Sequence, residues 1–272
     1  MFGIFKKKNA QGAQISEAPK KQEESALSEA ARKMIEYLGC PCEHFPAGSS
    51  ESAVIAAYKE AREKSGGEYL PVTVSVSDIL VECIEEYGRN AEELRAYREK
   101  LLSEPLANAE RWLAENIAEY KSNMGDKFYS VVIGKYIDDE FNVNDRLVGF
   151  LGFDFNSDTR PVNECILAKI PVKNPWEVFA WLPFGGWNEC PTPDIMMAVA
   201  KYWYDRHGAV PATISHDILE FTARPIEDRK AALRLALEHM AFCSDCIFQG
   251  YGTAGRLADS LSKSSLWYFW WD

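Results

Sequence analysis

Positive charge, histidine and long apolar runs are what this sequence has least of. Thirty Lys and Arg stand against forty-one Asp and Glu, a formal net charge of −11, and four His are spread over 272 residues. A surplus of that sign repels a phosphate backbone, so general nucleic-acid binding is excluded as an expectation. No uninterrupted apolar stretch approaches the ~18 residues that a membrane-crossing helix needs. The opening, Met1 to Lys8, puts its apolar residues ahead of its lysines, the reverse of a secretory signal. The spacings that mark a protease, lipase, kinase, phosphate-binding loop or zinc protease are missing too.

What is present reads as a globular chain, 47% hydrophobic and 26% charged. Residues 1–25 have little to bury and read as a disordered tail, with a membrane-surface touch by its first residues as the alternative. Seven cysteines are an odd number, in a chain long enough to fold by core burial. Without an export signal they point to reduced thiols and a cytoplasmic location. Two pairs stand out, Cys40 with Cys42 and Cys243 with Cys246. Buried, unreactive thiols are the main reading. A zinc site using all four, or a redox pair at Cys243 and Cys246, are the alternatives. No cofactor is implied.

Hydrophobic periodicity and capping residues predict helices over 25–38, 51–64, 78–87 and 90–120, the last interrupted at Pro105. Strands are expected at 69–76, 128–136 and 147–155, the last two joined by a loop carrying Asp138, Asp139, Glu140 and Asp145. Beyond residue 161 the pattern predicts a strand at 165–172, a short helix from Asn174 and a helix from Thr192 to His207. A strand pair follows at 210–214 and 218–223, then helices at 227–242 and 253–263 and a last strand from Leu266. His239, in the middle of the helix at 227–242, reads as a surface or boundary residue. The fold class is therefore α+β. The expected organisation is a tail (1–25), an α/β half (26–160) and a C-terminal ferredoxin-like βαββαβ unit (161–272). Trp267, Phe269 and Trp271 share one face of the last strand, while Leu266, Tyr268 and Trp270 share the other. Both faces must be covered, and the N-terminal half is expected to cover the second. A homodimer contact is the competing explanation.

The segment Leu182-Pro-Phe-Gly-Gly-Trp-Asn-Glu-Cys-Pro-Thr-Pro193 gathers candidate chemistry just before a helix N-terminus. Trp187, Asn188 and Glu189, joined by Asp272 at the rim of the last strand, are candidates for ligand or partner binding. Catalysis would use Glu189 and Cys190 with His207 or His216 as base. A structural role, with Trp187 plugging the core, is the bland alternative. His207 closes a helix, where the dipole favours a positive ring over metal ligation.

Several of these pieces resemble one family together. Phe184-Gly-Gly-Trp-Asn-Glu-Cys-Pro191, Tyr202-Trp203, His207-Gly208-Ala209, Leu219-Glu220, Arg224-Pro225, Phe242-Cys243 with Asp245, Gln249-Gly250 and the terminal Trp267-Tyr-Phe-Trp-Trp-Asp272 are similar to a bacterial domain of unknown function, number four-two-five-three. The resemblance covers about Cys165 to Asp272 and is loose over Phe45 to Val76. Cys246 departs from it, where an apolar residue is expected. The resemblance implies a bacterial, cytoplasmic protein and no particular activity. Taken with the acidic charge, the reading is a non-enzymatic interaction or regulatory module, toxin neutralisation being one such setting. It suits a basic protein partner, and the chain itself would be a monomer or homodimer. The alternative is a small-molecule-binding protein or enzyme built on the Trp187 to Cys190 loop.

Truncating one well-buried Trp costs ~3–5 kcal/mol against a total stability of ~5–15. Removing residues 267–272 should therefore leave the chain unfolded or aggregating. A soluble, cooperatively melting protein lacking them would refute the paired and covered last strand.

Overall fold

The computed structural model describes residues 27–134 and 162–272. Capping chemistry sets the helix starts. The Ser28 side chain accepts from the Ala31 amide to open α1 (Glu29–Leu38), and Gly39 closes it in the left-handed conformation, φ 58°. Strand β1 (Cys42–Phe45) follows, and Ser50 then opens α2 (Glu51–Lys64). After β2 (Leu70–Ser75), α3 (Asp78–Glu85) is capped by Ser77, with Asp78 as its first residue. Asn90 and Asn108 cap α4 (Ala91–Ser103) and α5 (Ala109–Met124), which break apart around Pro105 as expected.

The strand expected from Phe128 is not there. Tyr129–Ile133 is a wide helical turn that buries Phe128 and Val132, four residues apart, and leaves Tyr129 and Val131 exposed. A short apolar run carries no periodicity of its own, and here the helical spacing of its two buried residues decides. The second expected strand, over 147–155, and the acidic loop before it lie outside the described residues.

The C-terminal half follows its signals closely. β3 (Cys165–Ile170) leads into α6 (Val178–Trp181) and α7 (Pro193–His207). Then come β4 (Val210–Ile214), β5 (Ile218–Thr222), α8 (Arg229–Phe242), α9 (Ala254–Leu261) and β6 (Leu266–Trp270).

The six strands of the described residues form one mixed sheet in the order β1-β3-β2-β4-β5-β6. The α+β class holds, but the ferredoxin-like order does not. A split βαβ unit would interleave the C-terminal strands with one another. Instead β4, β5 and β6 run as an antiparallel meander, and β2 inserts between β3 and β4, antiparallel to the first and parallel to the second. The reason lies in burial. β2 is buried along its whole length, which suits a central strand and leaves no place for it at an edge.

The alternation of β6 is as expected, with Trp267, Phe269 and Trp271 buried on one face. On that face α1 and α3 to α9 build the principal core with Val72, Val74, Ile166, Ile170 and Phe221. The other face is covered by α2 alone among the N-terminal helices. Its Val54, Tyr58 and Ala61 meet Phe45, Cys165, Leu167, Ala212 and Leu266. Among the described residues the N-terminal half thus covers that face through a single helix, while α1, α3, α4 and α5 join the main core.

At the heart of that core the Trp203 ring stacks on Phe269, 5.5 Å between centroids, and meets Phe242 at 5.0 Å and Trp267 at 5.6 Å. His239, expected near the surface, is 1% exposed and lies 4.6 Å from Phe269 and 4.8 Å from Trp267. Its helix runs through the core, so a face rich in Leu and Ala carries it inside. Burial holds its pKa well below the usual range, so the ring is neutral. Beside it, Glu238 accepts hydrogen bonds from the Trp203 indole and the Tyr202 hydroxyl, both at 3.0 Å. Burial raises the Glu238 pKa, with those two bonds opposing the rise. All seven cysteines are free thiols. No helix among the described residues is long and apolar enough to cross a membrane.

An acid whose folded pKa lies above its unfolded value is most favourable to folding at low pH, and loses that contribution as pH rises through the folded pKa. Glu238→Gln removes the titration while Gln still accepts from Trp203 and donates to the Tyr202 oxygen. The difference in melting temperature, variant minus parent, should therefore grow more positive from about pH 4 to about pH 8. A difference that stays flat across that range would contradict a buried, destabilised carboxylate.

Candidate functional site

The loop after α6 is shaped by backbone it can barely adopt. Gly185 (φ 95°) and Gly186 (φ 84°) turn the chain, and the Gly186 amide donates to the Cys190 carbonyl at 2.9 Å. A Cβ on Gly185 would lie 2.1 Å from the Pro191 carbonyl oxygen. The Cys190 amide closes a tight turn onto the Trp187 carbonyl at 2.7 Å, with both central residues left-handed, Asn188 at φ 40° and Glu189 at φ 61°. Such a turn ordinarily carries Asn-Gly, and Glu in the glycine position is strained.

That strain aims Glu189 outward. Its Oε2 accepts from the Tyr120 hydroxyl and the Ser244 hydroxyl, each at 3.0 Å. The carboxylate stands at a cleft of about 310 Å³ whose walls include Trp112, Asn116, Glu119 and Tyr120 of α5, and Phe242 and Ser244 at the end of α8. Burial, with Glu189 and Asp245 adding to it against the Ser244 hydroxyl, pushes the Tyr120 pKa up to about 12. Tyr120 is therefore a neutral donor at physiological pH. Phe248, 44% exposed, lies 6.1 Å from the Tyr120 ring.

Asn188 reaches the other way, donating through Nδ2 to the main-chain oxygen of Asp272 at 2.9 Å. The Asp272 amide in turn donates to Asp245 Oδ2 at 3.1 Å, and the Cys243 thiol donates to the Trp270 carbonyl at 3.0 Å. Asn188, Glu189 and Asp272, candidates on two separate stretches, thus belong to one assembly. Asp272 is exposed, and its backbone meets the Asn188 side-chain amide and the Asp245 carboxylate.

The rest of the candidate set is dispersed. Trp187 is half-buried and packs against the main core instead of lining the cleft. Cys190 is buried, and burial followed by the neighbouring Cys243 raises its thiol pKa far from nucleophilic range. No hydrogen bond joins Glu189 or Cys190 to an imidazole among the described residues. His207 lies in a different concavity, edge-on to Trp267 at 5.8 Å, and its pKa is lowered by burial and by Arg206. The dipole expectation for a charged His207 ring is therefore overridden by desolvation. His216 pairs with Asp217, Nδ1 to Oδ1 3.3 Å.

The four thiols of the zinc alternative are separated by the sheet itself. Cys42 opens β1 at one edge, and Cys243 bonds the end of β6 at the other. Five strand spacings put about 24 Å between them. Among the described residues no group of three His, Cys, Asp or Glu could hold a metal ion. The Cys40 pKa is lowered by the Cys42 thiol and then by Arg98, against burial, while burial and Cys243 raise that of Cys246. A low-pKa thiol at Cys246 therefore has no support.

Sequence reasoning missed Tyr120, Asn116 and Glu119. They sit on α5 at helical spacings that also fit an ordinary solvated face, so nothing local marks them.

Residues 166–272 match the family model of a domain of unknown function (DUF4253). The matched segment contains the strained loop, the α8 terminus and β6. Of the cleft walls, α5 lies outside it. No curated protein and no solved structure matches the chain.

Two substitutions separate strain from packing. Glu189→Gly relieves about 1–2 kcal/mol of left-handed strain while giving up two exposed hydrogen bonds of roughly 0.5–1.5 kcal/mol each. Its stability in urea should stay within about 1 kcal/mol of the parent. Gly185→Ala adds strain and a backbone clash and should cost at least about 2 kcal/mol. Equal losses for the two would show that the turn is not strained at Glu189.

Proposed function

We propose that the chain is a non-enzymatic protein-interaction module that receives an Arg or Lys side chain of a basic partner in the Glu189 cleft. The posture of Glu189 carries this reading. Its backbone is strained, its Oε2 is fixed by two hydroxyls, and its Oε1 has no protein partner among the described residues. A fixed carboxylate in a cleft that Trp112 and Tyr120 also line suits an ammonium or guanidinium group. Glu119 adds charge of the same sign, and among the described residues the lining includes no Lys or Arg. The net charge of −11 would steer a basic partner towards it.

A regulatory setting, toxin neutralisation included, is compatible with such a partner. A bacterial cytoplasm is the compartment we infer, and seven free thiols fit its reducing conditions. Catalysis through Cys190 draws no support from a buried thiol with no imidazole in reach. The small-molecule reading is favoured by one observation, the cleft volume of about 310 Å³, which falls at the small end of the ~300–1,000 Å³ usual for ligand pockets. A free amine would use the same carboxylate.

Titration of the isotope-labelled chain with acetyl-arginine amide and with its neutral citrulline counterpart tests the proposal. The arginine compound should shift the amide resonances of Tyr120, Glu189 and Ser244, the citrulline compound should not, and Glu189→Gln should abolish the shifts. Equal responses to the two compounds, or shifts that survive in Glu189→Gln, would overturn it.

A further inference from the structure

A second concavity, of about 1160 Å³, shares no lining residue with the Glu189 cleft. It lies where the end of α2, the start of β2, the segment after β3, the last turn of α7 and the segment after β5 converge. Its charge runs against that of the chain. Arg62, Lys173, Arg206 and Arg224 line it, with Asp205 as the one carboxylate among the described residues, in a sequence where acids outnumber bases forty-one to thirty.

Little within the protein neutralises those cations. Asp205 is already engaged by Lys201, one turn back on α7. Arg62 Nη1 donates to two uncharged oxygens, the Tyr58 hydroxyl at 3.1 Å and Thr222 Oγ1 at 3.2 Å, which orient it without cancelling its charge. Lys173 and Arg224 are exposed and form no ion pair among the described residues. Arg206 is the exception, paired with Glu110 at 3.2 Å and lying over the Tyr202 ring. His207, also in the lining, is held neutral by burial and by Arg206. Among the described residues Arg62, Lys173 and Arg224 thus face one concavity without an ion pair, Glu177 accepting from the Lys173 main-chain amide at 2.9 Å rather than from its ammonium.

We propose that this concavity is an anion site for a compact ligand bearing two or more phosphoryl charges, of nucleotide or polyphosphate class. Arg62 and Arg224 offer planar forks that match phosphoryl oxygens, and Lys173 adds a point charge. The volume suits a ligand of nucleotide size, and the Tyr204 ring, 39% exposed, stands at the edge as a stacking surface. Compactness follows from the electrostatics. At physiological salt charges are screened beyond about 8 Å, so a ligand inside the concavity feels these cations and little of the acidic surface. An extended polyanion would run out onto that surface and be repelled. The site is independent of the Glu189 cleft, so Glu189→Gln should leave it untouched.

Calorimetric titration of the full chain with tripolyphosphate, ATP, adenosine and hexaglutamate tests the site. Tripolyphosphate and ATP should both bind, adenosine and hexaglutamate should not, and raising salt from about 50 to about 200 mM should weaken binding. Tighter binding of ATP than of tripolyphosphate would identify the nucleotide as the ligand, and equal binding the polyphosphate group alone. The Lys173→Gln, Arg224→Gln double variant, both positions exposed, should melt as the parent does and lose about tenfold or more in affinity. The proposal fails if neither phosphate compound binds, if the double variant binds as the parent does, or if hexaglutamate binds comparably.

Discussion

The Trp203 side chain is the point on which most of this structure closes. Its ring contacts Phe221, Phe242, Trp267, Phe269 and His239, which arrive from β5, α8 and β6. Aromatic pairs in offset or edge-on geometry add about 0.5–1.5 kcal/mol each beyond area burial. The packing would leave the indole N–H buried without an acceptor were it not for Glu238, whose carboxylate accepts from it and from the Tyr202 hydroxyl together. Two donors from α7 meet this one carboxylate of α8, which offsets part of the cost of burying it and ties the two helices together.

The same packing extends to the cleft. Trp271, at the end of β6, contacts Phe184 at 6.5 Å and Phe242 at 5.6 Å, so the strained loop and the α8 terminus rest on one side chain. The hydrogen bonds of Asn188 and Asp245 to Asp272 then tie the surface of that assembly. Glu189 is exposed, yet its direction is set by a rigid platform beneath it. Strain in the backbone at Glu189 persists because this platform over-determines the turn.

Local chemistry was the legible part. Ser50, Asn90 and Gly208 mark helix ends by what their own atoms can bond, and the alternation of β6 follows from the pleat. Non-local choices were not legible. Nothing in residues 70–75 says that they separate β3 from β4, and nothing in His239 distinguishes a buried helix face from a boundary one. The cleft was half visible, since its loop and last strand carry unusual residues while its α5 wall looks like any solvated helix. The basic concavity could not be read at all, because Arg62, Lys173, Arg206 and Arg224 are scattered over the chain and converge only through the sheet order.

That order has a consequence in time. β2 is synthesised early, yet both of its neighbours come after it, β3 beginning at Cys165 and β4 at Val210. Until they emerge, six residues that will be buried on both faces have no hydrogen-bonding partner on either side. Closing such distant pairings is the slow, entropically costly part of assembling a sheet. The segment from 166 to 272 therefore carries a gap at its centre, β3 and β4 each presenting an edge that only the earlier strand can fill. Whatever accompanies the nascent chain must keep β2 from joining the wrong edge during that interval.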